Sequence, residues 1–386
     1  LKNYDSIVIG GGMIGAASAL GLARLGQRVL VVEACPPVAY QASQAIDLRV
    51  SALSHQSIAL LERLGAWQAV EAMRHAPYRS LQAWENPEQV LSFEADDVGL
   101  ENLGSIVENR VIQLALWDQL EAFNVEFVQS DSSKLVSISE HDCQILLGEQ
   151  QVKAKRLLVA DGALSSMRSQ LGIATSGWNY RQHCLLINIE LDAPQQTTTW
   201  QQFNPSGPRA LLPLPGQKAA LVWYDTPAQI KTLKALSSAA LKLTIKEQFP
   251  QLPGNFEISN FASFPLTRMH AKSYVKDCAV LLGDAAHTIH PMAGQGVNLG
   301  FKDVEALLES IAEHGKSVDN FALANYQRQR RRDNLLMQSM MDGFYLGFSN
   351  DNPLAKGLRK VGLNLAQKSG PLKLVALRYA LGLAPL

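Results

Sequence analysis

Residues 6–23 carry no charge, and five of these eighteen are glycine. The length is that of a membrane span. However, Gly10, Gly11 and Gly12 interrupt the run, and Asp5 stands where a secretory signal would carry basic residues. A strand, a tight turn and a helix fit better. Residues 4–9 are β-branched and apolar, 16–25 read as a helix closing at Gly26, and 28–33 form a second buried strand. The turn reads Gly10-x-Gly12-x-x-Gly15, a dinucleotide-binding pattern in its proper strand–turn–helix context. Its glycines let the turn close, let backbone approach a pyrophosphate and let helix pack on strand. The helix N-terminus offers N–H groups and a positive dipole to phosphates. Glu33, at the end of the next strand, can accept hydrogen bonds from an adenosine ribose. Leu1 in place of a start methionine suggests a trimmed N-terminus.

At about 150 residues per domain, 386 residues predict two or three domains. Leu53, Leu60, Leu61 and Leu64 have helical spacing, residues 107–123 become helical after their first positions, and 127–147 alternate as a strand pair. Residues 156–160 are a buried strand ending at Asp161-Gly162. The middle of the chain changes texture. Residues 184–191, 198–203, 219–224 and 258–264 are strand-like, with a single helix over 233–249, which predicts an antiparallel sheet with a helix on one side. The buried-strand pattern returns at 279–282, and Val304, Leu307, Leu308 and Ile311 mark an amphipathic helix. A discontinuous first domain is expected over 1–75, 100–180 and 270–345. A sheet domain over 76–99 and 181–269 is inserted in it, and 346–386 form a helical C-terminal segment.

Thirty-five basic and thirty-five acidic residues cancel, which argues against a nucleic-acid partner. The balance hides a segregation. Residues 352–386 hold six basic side chains and no acidic one. Leu354, Leu358, Val361 and Leu365 share one helical face, with Lys356, Lys360, Asn364 and Lys368 near the other. This is the pattern of an interfacial helix, predicting a membrane surface or membrane-bound partner; packing on the protein's own core is the competing reading. Cysteines 35, 143, 184 and 278 form no CxxC pair, so neither a zinc ribbon nor a redox dithiol is indicated, and a reducing cytoplasm is expected. His287 and His290 lack a third ligand nearby, so no metal is expected. The Arg328, Arg330, Arg331, Arg332 cluster reads as a solvated helix face rather than a phosphate site.

The glycine pattern alone does not choose between FAD and NAD. Residues 281–300, LLGDAAHTIHPMAGQGVNLG, do. A strand ends at Gly283-Asp284, where a carboxylate can bind the ribityl hydroxyls of a flavin. A glycine-rich loop then opens a helix, so the backbone N–H groups around Gly296, Val297 and Asn298 can face the flavin's pyrimidine edge. An NAD-only dehydrogenase needs no such second site. A disulfide reductase would need a second fingerprint and a CxxxxC dithiol, and both are missing.

With these motifs in view, the chain resembles the single-component FAD-dependent aromatic hydroxylases of the p-hydroxybenzoate hydroxylase fold. The resemblance rests on the fingerprint, on Asp161-Gly162-x-x-Ser165-x-x-Arg168, and on Gly283-Asp284 followed by Pro291 and Gly294-Gln295-Gly296. One departure is Val159, where the family usually has glycine. Within the family the chain is most similar to the ubiquinone-biosynthesis hydroxylases. Among them, it is most similar to the one acting on 2-polyprenyl-3-methyl-6-methoxy-1,4-benzoquinol. Supporting segments lie at 47–53, 107–120, 200–214, 221–227 and 378–383.

The resemblance implies an α/β fold: a Rossmann-like FAD-binding domain with an inserted α+β antiparallel-sheet substrate domain and a helical C-terminal tail. It implies hydroxylation of a polyprenyl quinol ring, with O2 and NAD(P)H, through a flavin C4a-hydroperoxide. FAD would be held by Gly10, Gly12, Gly15, Glu33, Asp161, Gly283, Asp284, Gly296, Val297 and Asn298, with Arg49 and Gln113 nearby. Pro291, Gly294, Gln295 and Gly296 would wall the reacting flavin edge. His287 would make a structural hydrogen bond beside Asp284. A sibling hydroxylase acting at another ring carbon is an alternative within the family, and two rivals share the fold: a flavin-dependent prenyl-lipid reductase and a chaperone of prenylated proteins. The intact Asp284 and Gly294-Gln295-Gly296 argue against the chaperone, and the missing WxWxIP segment argues against a halogenase. Peripheral association with an inner membrane, or with other ubiquinone-biosynthesis proteins, is a further expectation.

Overall fold

The computed structural model describes residues 1–291, 294, 296–314 and 320–348; Gln295 and the expected C-terminal helix from residue 349 onward lie outside them. Five parallel strands make the centre of the first sheet, in the order Ala279–Leu281, Gln150–Val159, Lys2–Ile9, Val29–Glu33, Glu126–Gln129. Their inner residues are buried, as expected of strands covered by helices on both faces. From the first strand the chain passes through helix Met13–Arg24 to one side, and Gln150–Val159 docks later on the other side. The C-terminal ends of Lys2–Ile9 and Gln150–Val159 thus flank a topological switch point, where open α/β sheets take ligands. Val159 pairs with Ile9 and Leu281, and its side chain is fully buried in the sheet core.

The second sheet has eight strands, in the order His287–Thr288, Phe256–Ala271, Thr175–Leu191, Lys218–Asp225, Arg209–Leu214, Thr198–Gln202, Ser80–Trp84, Leu91–Glu94. The register gives it two faces. Leu185, Ile187, Leu211, Leu221 and Trp223 pack under two helices, Pro227–Ala235 and Ser238–Gln248. Cys184, Ala210, Val222, Tyr224 and Leu266 form the other face. The single helix expected over 233–249 is therefore two. Leu236 is extended, and the Ser237 side chain accepts from Ala240 N to start the second helix. One pair, Thr198–Gln202 with Ser80–Trp84, is parallel, a long-range pairing that alternation cannot reveal.

Helices Gly296–His314 and Asn320–Phe348 follow. Among the described residues, no helix is long and apolar enough to cross a membrane. The arginine cluster on the second of these helices is not one solvated face. Arg328 and Arg332 are exposed, Arg331 is half-buried and Arg330 is buried against Asp303.

Candidate flavin site

The first strand ends in a turn that demands glycine. Gly10 has φ +96°, and a Cβ there would stand 2.4 Å from Ala160 O. A Cβ on Gly15 would stand 1.8 Å from Gly10 O, so helix and turn touch with no room for a methyl group. Gly12 is the opposite case. It is the helix N-cap, offers no side chain to close the helix end, and a Cβ there would meet nothing within 4 Å. No acidic side chain stands in the first turn. The helix end therefore faces open space with its N–H groups and positive dipole on offer.

Gly11 is gripped from three directions. Its N–H donates to Glu33 Oε2 (2.6 Å), and its carbonyl accepts from Gln113 Nε2 (2.8 Å) and Trp117 Nε1 (2.7 Å). Glu33 also accepts from Cys35 N (2.9 Å). Glu33 and Gln113 thus meet at the glycine turn. Trp117 escaped the sequence reading, although it lies four residues after Gln113 on the same helical face.

The second turn follows Ala279–Leu281. Gly283 has φ +56°, and its N–H donates to Asp303 Oδ2 (3.0 Å). Asp303 is fully buried and also binds His287 Nε2 (2.5 Å), Arg330 Nε (2.8 Å) and Asn334 Nδ2 (3.1 Å). Burial alone would raise its carboxyl. The His287 and Arg330 charges and hydrogen bonds outweigh that and hold it far below the usual range. Asp303 was missed from sequence, while the hydrogen-bonding position expected for His287 is present.

Next to this network, Asp284 is solvent-exposed, yet surrounding protein strips enough hydration to raise its carboxyl above the ordinary value. His287 and Arg49 oppose the rise, so the exposed Arg49 lies within electrostatic reach of Asp284. Arg168 joins the middle motif to this turn, donating through Nη1 to Ala285 O (2.8 Å) and through Nη2 to Ala163 O (3.1 Å). Asp161 Oδ2 accepts from Met167 N (3.2 Å), while its Oδ1 is buried without a protein partner.

Pro291 accepts from Gly294 N (3.0 Å), and Gly294 has φ +63°. A Cβ on Gly296, which opens the next helix, would meet nothing within 4 Å. Val297 packs partly into the first core. The Asn298 side chain is engaged by protein: Oδ1 accepts from Ser54 N (3.0 Å) and Ser57 Oγ (2.7 Å), and Nδ2 donates to Ala52 O (2.8 Å). Over this loop stands the second face of the second sheet, where the buried Tyr224 hydroxyl donates to Pro291 O (3.4 Å). Leu212 and Phe264 border that face, whereas Trp223 points away from it, onto Phe249.

Three features fit FAD: the uncapped helix end at Gly12, the exposed but crowded Asp284, and the unpartnered Asp161 Oδ1. Among the described residues, no group of three or more His, Cys, Asp or Glu side chains forms a metal cluster.

Comparison with known proteins agrees. Residues 3–338 match the family model described as an FAD binding domain. The chain is 44% identical over 383 residues to 3-demethoxyubiquinol 3-hydroxylase of Escherichia coli (strain K12), covering 97% of this chain and 98% of that one. It is 32% identical over 440 residues to the mitochondrial ubiquinone biosynthesis monooxygenase COQ6 of Homo sapiens, covering 98% and 92%. The crystal structure of p-nitrophenol 4-monooxygenase from Pseudomonas putida DLL-E4 shares the fold, with a TM-score of 0.77 at 18% identity over 99% of this chain and 97% of that one. With its glycine turn, its exposed Asp284 and this kinship along nearly the whole of both chains, the chain belongs to the FAD-binding monooxygenases of the ubiquinone-biosynthesis hydroxylase family.

Proposed function

We propose that this protein hydroxylates the ring of a polyprenyl benzoquinol intermediate of ubiquinone biosynthesis, at the position left open in 3-demethoxyubiquinol. The observation that carries this reading is 44% identity to a 3-demethoxyubiquinol 3-hydroxylase along nearly the whole of both chains. FAD, when bound, supplies reduction by NAD(P)H and activation of O2. The protein binds, orients and excludes water. Gly12 and the helix behind it take the pyrophosphate, Glu33 the ribose, and Asp284 the ribityl hydroxyls. The Arg49 charge offsets that of Asp284. Pro291, Gly294 and Gly296 wall the reacting edge. In this reading residues 1–75, 100–180 and 270–345 hold the cofactor, and 76–99 with 181–269 cover the substrate ring. The polyprenyl tail calls for a peripheral seat at a membrane.

The test is turnover of a short-chain demethoxyquinol by the FAD-loaded protein with NAD(P)H under labelled O2. One labelled oxygen atom in each product molecule is expected. A product with a saturated prenyl bond and no label would replace the hydroxylase by a reductase.

Asp284→Asn separates cofactor binding from folding. It replaces the charged two-oxygen acceptor for the ribityl hydroxyls by one neutral amide oxygen and an NH2 donor, so FAD affinity should fall roughly tenfold to a hundredfold, read from flavin absorbance on titration. The folded state raises the Asp284 pKa, so folding disfavours its charge. That penalty is absent at low pH and appears as pH rises through the carboxylate range. The apo variant should therefore melt no lower than wild type at pH 7. An unchanged FAD affinity would remove Asp284 from the site.

A further inference from the structure

The arginines of helix Asn320–Phe348 divide between two faces. Arg330 turns inward to Asp303, whereas Arg328, Arg331, Arg332 and Leu335 keep the i, i+3, i+4, i+7 spacing of one helical face. Opposite that face the chain turns at Lys272 and Ser273, leaving a groove of about 570 Å³. Lys272 and the three arginines line it, and among the described residues no carboxylate does. Arg331 Nε is buried without a hydrogen-bond partner, Arg328 Nη2 donates to the neutral Asn325 Oδ1 (2.7 Å), and the nearby Asp333 is paired with Arg330 (3.0 Å). Gln327 Oε1 fixes the turn against the helix, accepting from Ser273 Oγ (2.6 Å), Tyr274 N (2.7 Å) and Val275 N (3.1 Å), so the groove is preformed. It lies at the flavin end of the first sheet. Leu281 N donates to Tyr274 O (2.8 Å) and Ala271 N to Ala286 O (2.8 Å), which ties the turn on both sides to the segment carrying Asp284. Met269 pairs with Thr288 on an antiparallel strand; Lys272 stands three residues beyond the first and Pro291 three beyond the second. Groove and Pro291 loop are thus six residue steps, or roughly 20 Å, apart.

We propose that this groove binds the adenosine 2′-phosphate end of NADPH, and so makes NADPH rather than NADH the reductant. The ligand's identity rests on the NAD(P)H-dependent hydroxylation proposed above. That reaction brings a second dinucleotide to the protein, while the chain carries one dinucleotide turn, Gly10-x-Gly12-x-x-Gly15, which FAD takes. The second dinucleotide is therefore held by other means. Four cations facing one groove repel one another and are relieved by a shared anion. A phosphate monoester carries about −1.5 to −2 charges at pH 7, and the planar fork of arginine matches its oxygens. NADH has no such group and leaves these cations as they are. The ligand must be elongated, with its anionic end in the groove and its reactive end roughly 20 Å away at the Pro291 loop. A dinucleotide has that form, with adenosine phosphate at one end and nicotinamide at the other. An isolated phosphate ion does not, and it leaves most of the groove unfilled.

The test uses the full chain loaded with FAD, titrated in a calorimeter with NADP+ and NAD+, which bind without reducing the flavin. Wild type should bind NADP+ about tenfold or more tighter than NAD+, with the difference shrinking as salt is raised. Arg328→Gln with Arg332→Gln should weaken NADP+ about tenfold and NAD+ less than about threefold. Lys272→Gln, on the opposite wall, should act in the same direction. All should keep their flavin absorbance and melting temperature, because the substituted side chains lie at the surface. Anaerobic bleaching of the flavin by NADPH should need about tenfold more nucleotide in the double variant and reach the same limiting rate. Equal affinity for the two nucleotides in wild type overturns the proposal, as does a preference for NADP+ that survives the substitutions. Inorganic phosphate or phosphatidylglycerol vesicles that bind through Arg328 and Arg332, with no preference between the nucleotides, would assign the groove to that anion and also overturn it. The titrations contain no quinol. A protein that discriminates the nucleotides yet leaves the short-chain quinol unchanged keeps the groove and loses the hydroxylase reading.

Discussion

Asp303→Ala is expected to destabilise the protein by about 3–5 kcal/mol, the range found when one partner of a buried ion pair is removed. The alanine leaves the Arg330 guanidinium in the interior, with Asp333 on its other edge (3.0 Å) and Asn334 Oδ1 nearby (2.8 Å), but without its buried counter-charge. His287 and the Gly283 N–H lose their acceptor in the same step. Urea denaturation at pH 7 measures the loss. The pH dependence carries a second signature. Folding depresses the Asp303 pKa, so its contribution is fully present above the unfolded value near 3.8 and is lost as pH falls toward the lower folded value. Wild type should therefore lose stability below about pH 4 more steeply than the alanine variant. Adding Arg330→Met to Asp303→Ala should recover part of the loss, because the stranded charge is gone. A single variant as stable as wild type would show that the network contributes nothing. Because Gly283 precedes Asp284, FAD affinity should fall alongside stability.

The parts of this site that sequence discloses are those whose signal is local. Gly10, Gly12 and Gly15 lie within six residues, and Glu33 ends the adjoining strand, so the turn, the helix end and the acidic partner could all be read together. The Asp303 network is the opposite. Its members are Gly283, His287, Asp303, Arg330 and Asn334, spread over four elements, and no short window contains the pairing. A faint signal existed. Asp303 stands four residues before Leu307, on the buried arc of an apolar helix, and Arg330 stands four after Tyr326 on the buried arc of the next. A charge on each buried arc called for a partner. Reading the arginines as a run concealed it, because adjacent helical residues point in different directions: Arg328 and Arg332 outward, Arg330 inward. The break at Leu236 was hidden for another reason. Apolar periodicity continues across it, and the Ser237 cap outweighs the pattern.

Gly15→Ala should be the most damaging single-methyl change in the cofactor turn. The added Cβ would lie 1.8 Å from Gly10 O and 2.9 Å from Gly10 C, and both are backbone atoms that no rotamer change can move. Gly10 has no room to retreat. Its N–H donates to Val32 O (2.8 Å), its φ of +96° is already one that side-chain-bearing residues avoid, and its far side abuts Ala160 O and Asp161 Cα. The helix must therefore lift from the sheet, breaking packing in which Ala16, Ala19 and Leu20 are fully buried. Overpacking of this kind costs about 1–3 kcal/mol and sometimes more. Lifting the helix also carries its N-terminus away from any pyrophosphate, so FAD binding should fall below detection in a flavin titration. Gly12→Ala provides the contrast. Its Cβ meets no protein atom within 4 Å, so the fold should keep its stability within about 0.5 kcal/mol of wild type. The methyl group instead fills the space in front of the helix end, and FAD should still bind more weakly. If Gly12→Ala bound FAD as wild type does, the pyrophosphate would not lie over that helix end. If Gly15→Ala retained both fold and flavin, the close contact between turn and helix would not be what holds the site in shape.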